Sequence, residues 1–185
     1  LHRFNIATTG LPGIRHISNS AGLRFADAHL DMVRPGLALY GISPCPGFPE
    51  LKPALRWRAA IISLRDLPRG EPVGYNRTFV TPRRSRIGIL PVGYADGYNR
   101  LLSGSGQVRL DNGALVPVIG IVSMDLIAID LTDYPEIGRG HAVTLLEADP
   151  GSPLSARAIA DKSGTIPYEI LTSIGSRVAR TYADF

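Results

Sequence analysis

An α/β segment followed by a mostly-β domain is the fold class this sequence predicts, and three observations carry it. Residues 1 to about 50 follow a strand, helix, strand rhythm. Ser43–Pro53 then holds Pro44, Pro46, Pro49 and Pro53, a density that regular structure does not tolerate, so it reads as a linker. From Trp57 onward, short apolar stretches alternate with Gly/Pro turns, the pattern of a β-barrel or sandwich. The corresponding domains are 1–50 and 51–185.

In the first segment Ile14–Ile17 reads as a short buried strand and Asn19–Gly22 as a polar turn. Leu23–Asp31 fits a partly amphipathic helix, and Met32–Tyr40 an apolar strand broken by Arg34-Pro35-Gly36. In the second, strands are predicted over Trp57–Leu64, Arg86–Val92, Val108–Leu110, Ala114–Val118, Met124–Leu131 and Ala142–Leu146. Leu67–Pro72 is a turn, and Asp111-Asn112-Gly113 offers the glycine that a tight hairpin needs for positive φ. Ser152-Pro153 reads as a helix N-cap followed by proline, with Gly164 as the stop; a second helix is predicted from Pro167 to Ile174, ended by Gly175, and Val178–Tyr182 as a last strand.

Composition narrows the function classes. The 185 residues carry 20 basic and 16 acidic side chains, for a net charge of +4. The arginines are scattered apart from Arg83-Arg84-Ser85-Arg86, so nucleic acid is not the expected partner. No apolar run approaches the roughly 18 residues of a membrane span. The start, Leu1-His2-Arg3, has neither an initiator Met nor a signal-peptide core, as expected of a chain beginning mid-protein. One cysteine, Cys45, excludes an internal disulfide and a cysteine-based zinc site, which fits a reducing, cytoplasmic setting. Only Lys52 and Lys162 are available as Schiff-base lysines.

Several short motifs could carry chemistry. His16-Ile17-Ser18-Asn19-Ser20 ends an apparent strand in hydroxyl and amide groups, although taken alone it reads first as an ordinary polar turn with a hydrogen-bonded His. Arg34-Pro35-Gly36-Leu37 joins a fixed charge to backbone N–H groups exposed by glycine, the ingredients of an anion site. Tyr75 stands among polar neighbours after Gly74. Pro91–Tyr98 displays two phenols and a carboxylate in one turn, and Val122-Ser123-Met124-Asp125 opens a strand with polar residues.

In order along the chain, His16–Gly22, Met32–Gly41, Val73–Thr78, Leu90–Arg100, Gly120–Asp125 and Pro167-Tyr168-Glu169 resemble the alanine racemase family. The resemblance covers nearly the whole chain. It implies the end of a pyridoxal-phosphate-binding (β/α)8 barrel over residues 1–50, an α/β remnant, followed by a mostly-β C-terminal domain. It further implies interconversion of L- and D-alanine for peptidoglycan synthesis, in a homodimer whose subunits share their active sites. Tyr75 matches the family's catalytic tyrosine on the L-alanine face, acting on the opposite subunit. Arg34 matches the arginine facing the pyridine nitrogen, and His16 the histidine that orients it. Ser20, Gly36, Leu37 and Tyr168 match phosphate-binding positions. Met124 matches a partner-subunit residue whose backbone N–H meets the substrate carboxylate, with Asp125 beside it, and Tyr94 and Arg100 match the substrate entrance.

The sequence departs from the family at Asn76, where glycine is frequent, at Ile121, where many members have arginine, and at Ala179, a common proline. The family's cofactor lysine sits in a Lys-Ala-rich, Tyr-Gly context that neither Lys52 nor Lys162 has. The chain is therefore expected to work with an N-terminal barrel half that carries that lysine. Alternative readings are a broad-specificity, serine or lysine racemase of the same fold, or a non-catalytic β-barrel binding module.

Overall fold

The computed structural model describes residues 1–52 and 54–182, so Pro53 of the proline stretch lies outside the described residues. The chain divides into two compact units, Leu1–Leu55 and Arg56–Phe185.

The first unit has one short helix, α1 (His2–Thr8), and three 3-10 turns at Ala21–Arg24, Ala26–Ala28 and Leu37–Tyr40. The strands predicted over Ile14–Ile17 and Met32–Tyr40 are reduced to one parallel bridge between Asn19 and Arg34. Ile14 and Ile17 are exposed rather than buried. Strands of a parallel barrel draw their burial from neighbouring strands and covering helices, and the partners for these residues are not among the elements of this unit. The helix predicted over Leu23–Asp31 is replaced by the two 3-10 turns, because the Ser18 hydroxyl donates to the Ala28 carbonyl (2.6 Å) and His29 Nε2 bonds the Leu23 carbonyl (2.9 Å), which folds the segment tightly back.

The second unit is built on nine strands: β1 (Trp57–Ala60), β2 (Ser63–Leu67), β3 (Pro72–Val73), β4 (Phe79–Val80), β5 (Ser85–Leu90), β6 (Gln107–Leu110), β7 (Leu115–Ile119), β8 (Ile127–Asp130) and β9 (Ala142–Leu146). Seven of them form one antiparallel sheet in the order β1-β9-β6-β7-β8-β5-β2, and β3 pairs with β4 as a separate hairpin. The two edges of the sheet are consecutive in sequence. Ile61 N–H donates to the His141 carbonyl (2.9 Å) on the β9 side, and Ile62 N–H donates to the Ile89 carbonyl (2.9 Å) on the β5 side. One bent segment thus pairs at both edges and closes the sheet into a barrel, which removes the free strand edges an open sheet would expose. Of the two architectures the strand pattern allows, this is the barrel.

Alternate residues of each strand point inward. Ile87, Val108, Val116, Val118, Ile127, Ile129, Val143 and Leu145 are buried in this way, and the alternation breaks where Gly88, Ile119 and Leu146 are buried beside them. The β6–β7 hairpin turns at Asp111-Asn112-Gly113, with Gly113 at φ 90°, as its sequence predicts. At the end of β9, Glu147 accepts from Arg109 Nη2 (2.8 Å) and Nε (3.1 Å) and from the Ser152 hydroxyl.

Ser155, not Ser152, caps the next helix, α2 (Ala156–Lys162), accepting from Ala158 N–H (3.2 Å). Ser152 is instead committed to Glu147 and to the Leu154 N–H (3.0 Å). Gly164, at φ 65°, stops α2, and α3 (Pro167–Ser173) starts on its proline. No strand forms over 178–182. The barrel is already closed, so no edge is left for this segment to join; Arg180 Nη2 instead donates to the Ile174 carbonyl (2.8 Å) and holds the segment against the end of α3.

Candidate functional site

In the first unit the parallel bridge sets His16, Ser18 and Ser20 beside Arg34, Gly36 and Leu37. Arg34 N–H donates to the Ser18 carbonyl (2.9 Å), which fixes the register. Arg34 Nη1 donates to His16 Nδ1, and both side chains are exposed. A guanidinium only donates, so this contact assigns Nδ1 as the acceptor and leaves the ring proton on Nε2. Ser20 is 1% exposed. Its hydroxyl accepts from Gly36 N–H (2.9 Å) and Ala38 N–H (3.3 Å) and donates to no acceptor among the described residues, so its proton is available to an external acceptor. Leu37 opens the 3-10 turn Leu37–Tyr40, and its N–H has no carbonyl partner within that turn. A hydroxyl proton, the open Leu37 N–H and a nearby guanidinium make a donor set suited to a phosphate.

In the second unit Tyr75 stands at the turn of the β3–β4 hairpin and is 68% exposed. The hairpin root is pinned by buried Thr81, whose hydroxyl donates to the Pro68 carbonyl (2.7 Å) and accepts from Glu71 N–H (2.9 Å). Val73 packs on Ile87 and Ile119 below it. The backbone around the phenol is left-handed at Gly74 (φ 75°), Asn76 (φ 58°) and Arg77 (φ 52°). Asparagine is among the few residues that enter this region readily, so the departure from glycine at Asn76 keeps the turn. Close approach fixes the hairpin laterally: a Cβ on Gly120 would lie 2.7 Å from the Val73 carbonyl oxygen.

The segment that follows, residues 120–126, carries the remaining positions. Tyr94 N–H donates to the Ser123 carbonyl (3.1 Å) and Ala95 N–H to the Met124 carbonyl (3.0 Å), joining the Pro91–Tyr98 turn to Met124 and Asp125. Gly93 makes this approach possible, since a Cβ there would sit 2.3 Å from both carbonyl oxygens. Arg100, at the start of a 3-10 turn capped by Asn99, lines an open cleft of about 550 Å³ with Thr78, Leu101, Ser103 and Ile121. Tyr75, Tyr94, Arg100, Met124 and Asp125 are thereby brought to one rim of the barrel. Tyr98, the other phenol of its turn, is instead 3% exposed and stacks edge-on with Trp57, ring centroids 6.3 Å apart. Burial pushes its phenol well above the ordinary value. Tyr168 is half-exposed in the first turn of α3.

Two residues that sequence reasoning left without a role meet at the same rim. Arg177 Nε lies 3.2 Å from Asp96 Oδ1, and its Nη2 lies 2.6 Å from Asp125 Oδ1. Asp96 is visible in the sequence as a carboxylate in the turn, but no local pattern links it to an arginine 81 positions later.

Among the described residues no group of three or more His, Cys, Asp or Glu is placed to hold a metal, and no helix is long and apolar enough to cross a membrane.

Known proteins share this sequence and fold. Residues 54–182 match the family profile of the alanine racemase C-terminal domain, and residues 1–44 that of the N-terminal domain. The chain is 46% identical over 179 residues to an alanine racemase of Sorangium cellulosum, covering 94% of this chain and 47% of that protein. It is 45% identical to one of Thermodesulfovibrio yellowstonii, covering 94% and 46% respectively. It therefore spans about half the length of these relatives. Among solved structures, alanine racemase from Streptomyces coelicolor superposes with a TM-score of 0.84 at 39% identity, over 100% of this chain and 51% of that one. Alanine racemase from Bartonella henselae with covalently bound pyridoxal phosphate superposes with a TM-score of 0.81 at 36% identity, over 98% of this chain and 50% of that one. On these grounds the chain belongs to the alanine racemase family, contributing the end of its N-terminal domain and its C-terminal β domain.

Proposed function

We propose that this chain supplies part of the cofactor site and one of the two proton-transfer groups of a cytoplasmic alanine racemase that interconverts L- and D-alanine for peptidoglycan synthesis. The observation that carries this reading is Tyr75: a phenol 68% exposed, held out on a turn of positive φ at the rim that also carries Met124. An N-terminal barrel half bearing the cofactor lysine is the required partner. Homodimerisation would let the β domain of one subunit complete the barrel site of the other.

The residues of the first unit fit pyridoxal phosphate. The Ser20 hydroxyl and the Leu37 N–H would hold its phosphate, with the Gly36 N–H, which donates to Ser20, orienting that hydroxyl. Arg34, oriented by His16, would face the pyridine nitrogen. When bound, the cofactor withdraws electrons from the substrate's α-carbon and so acidifies its proton. Arg34 keeps the pyridine nitrogen unprotonated, because a guanidinium does not give up its proton at neutral pH. This limits electron withdrawal into the ring and favours proton return over side reactions.

Tyr75 removes or returns the α-proton on the L face, and the partner half's lysine serves the D face. The Met124 N–H donates to the substrate carboxylate, with Asp125 beside it, while Tyr94 and Arg100 stand at the entrance. Uncharged Ile121, in place of arginine, leaves Arg100 as the cation of the cleft. The test is to combine this chain with a lysine-bearing barrel half and pyridoxal phosphate. Alanine should racemise, and Tyr75→Phe should abolish most turnover while cofactor absorbance is kept. Undiminished racemisation by Tyr75→Phe would remove the assignment.

A further inference from the structure

Arg177 ties together the two loops that bear Tyr94 and Met124, and the contacts around it are directional. Asp96, 6% exposed, spends one carboxylate oxygen on the Gly93 N–H (2.9 Å) and the other on Arg177 Nε (3.2 Å). The same guanidinium turns its Nη2 to Asp125 Oδ1 (2.6 Å), next in sequence to Met124. The chain leading into it is anchored. Gly175 N–H donates to the Asp96 carbonyl (3.2 Å), and the Ser173 hydroxyl donates to the Gly97 carbonyl (3.2 Å). The Met124 carbonyl is gripped by the Ala95 N–H (3.0 Å), whereas the Met124 N–H makes no hydrogen bond among the described residues.

We propose that Arg177 is a positioning residue that clamps Asp96 to Asp125 and thereby presents the Met124 N–H to the substrate carboxylate. The inference rests on the function proposed above. Two physical effects follow from one guanidinium. Its planar fork fixes the angle between two loops that are otherwise joined only through backbone contacts. It also neutralises Asp125, whose charge would repel an incoming carboxylate placed beside it. Lysine, a single point charge, supplies the second effect better than the first.

The test uses the complete enzyme, this chain joined with the lysine-bearing half and loaded with pyridoxal phosphate. Arg177→Ala should raise KM for alanine by about tenfold or more, with kcat changed less than about threefold, because ground-state and transition-state binding of the carboxylate are weakened alike. Cofactor absorbance should be unchanged. Arg177→Lys should fall between, and Asp125→Asn in the Arg177→Ala background should recover part of the KM by removing the repulsion. Hydrogen exchange followed by mass spectrometry should show the Tyr94 and Ala95 amides, which bond the Ser123 and Met124 carbonyls, exchanging faster in Arg177→Ala, with β5 and β8 protected as before.

An unchanged KM, or unchanged exchange at Tyr94 and Ala95, would overturn the clamp. If Arg177→Ala does not fold, Arg177→Lys decides: wild-type KM and wild-type exchange count against the proposal, and an intermediate rise in both supports it. Should the unsubstituted enzyme fail to racemise alanine, the proposed function falls, while the exchange comparison still decides whether Arg177 holds the Met124 loop.

Discussion

Tyr98 and Tyr75 carry the same side chain into opposite environments. Tyr98 lies against Trp57 inside the barrel, where burial raises its phenol further above its ordinary value and keeps it from any substrate. Tyr75 sits in the open, where a substrate can reach it. Their local sequences show both as phenols beside glycine-rich turns, and only the family resemblance singles out Tyr75, because their difference in burial comes from strands distant in sequence. Ser20 is more legible. The family resemblance marks it as a phosphate-binding position, and its hydroxyl accepts from the Gly36 N–H of the Arg34-Pro35-Gly36-Leu37 motif, joining the two segments. Ser20→Ala removes one donor to a charged ligand, a contact worth about 1.5–3 kcal/mol, so the Kd for pyridoxal phosphate should rise by about tenfold or more. Titration of the apoenzyme with the cofactor measures it, and an unaltered Kd would remove Ser20 from the phosphate site.

Among the elements, antiparallel strands and the β6–β7 turn were readable because alternation and Asp-Asn-Gly are local signals. The parallel segments of the first unit were not, since their burial depends on neighbours rather than on their own sequence. The cap of α2 was misplaced by three residues because Ser152 and Ser155 both look like caps, and only the carboxylate of Glu147, reached through folding, claims Ser152. Burial works to raise the Glu147 carboxyl, but hydrogen bonds from Arg109 and Ser152 and the charges of Arg109 and Arg56 outweigh it and hold it below the ordinary value. A carboxyl lowered by folding adds stability above the unfolded pKa, near 4.3, and that stability is lost as pH falls through the folded value. Glu147→Gln should therefore lower the urea midpoint at pH 7 and leave a shallower loss of stability below about pH 4. Parallel slopes for the two proteins across that range would contradict this. Gly93→Ala tests the contact between loops: with no room for a methyl group, overpacking should cost about 1–3 kcal/mol in chemical denaturation and weaken alanine binding as the Met124 loop moves.

At the scale of the whole molecule, the barrel is closed by two residues. Ile61 and Ile62 pass the chain from the β9 edge to the β5 edge, and Ile61 is fully buried. Ile62→Pro deletes the N–H that bonds Ile89 and stiffens the bend, so it should cost about 3 kcal/mol or more and raise hydrogen exchange along β2 and β5. Protection equal to wild type would show that closure does not depend on that bond. The closed barrel gives the rim a rigid base: Tyr75 projects from a hairpin packed on β5 and β7, and Met124 from the segment between β7 and β8. The order of motifs along the chain made this family legible, whereas the Asp96–Arg177–Asp125 contacts appear only when the tail is folded back.

The central claim, that Tyr75 transfers the proton on one face while a lysine outside this chain serves the other, is tested most directly by following both faces in one experiment. In deuterium oxide, the reconstituted Tyr75→Phe enzyme should still exchange the α-proton of D-alanine, which meets the lysine, yet form L-alanine at less than about a hundredth of the wild-type rate, the loss typical of a missing general acid–base group. Wild-type formation of L-alanine by the variant, or loss of D-alanine exchange with the cofactor still bound, would contradict the account.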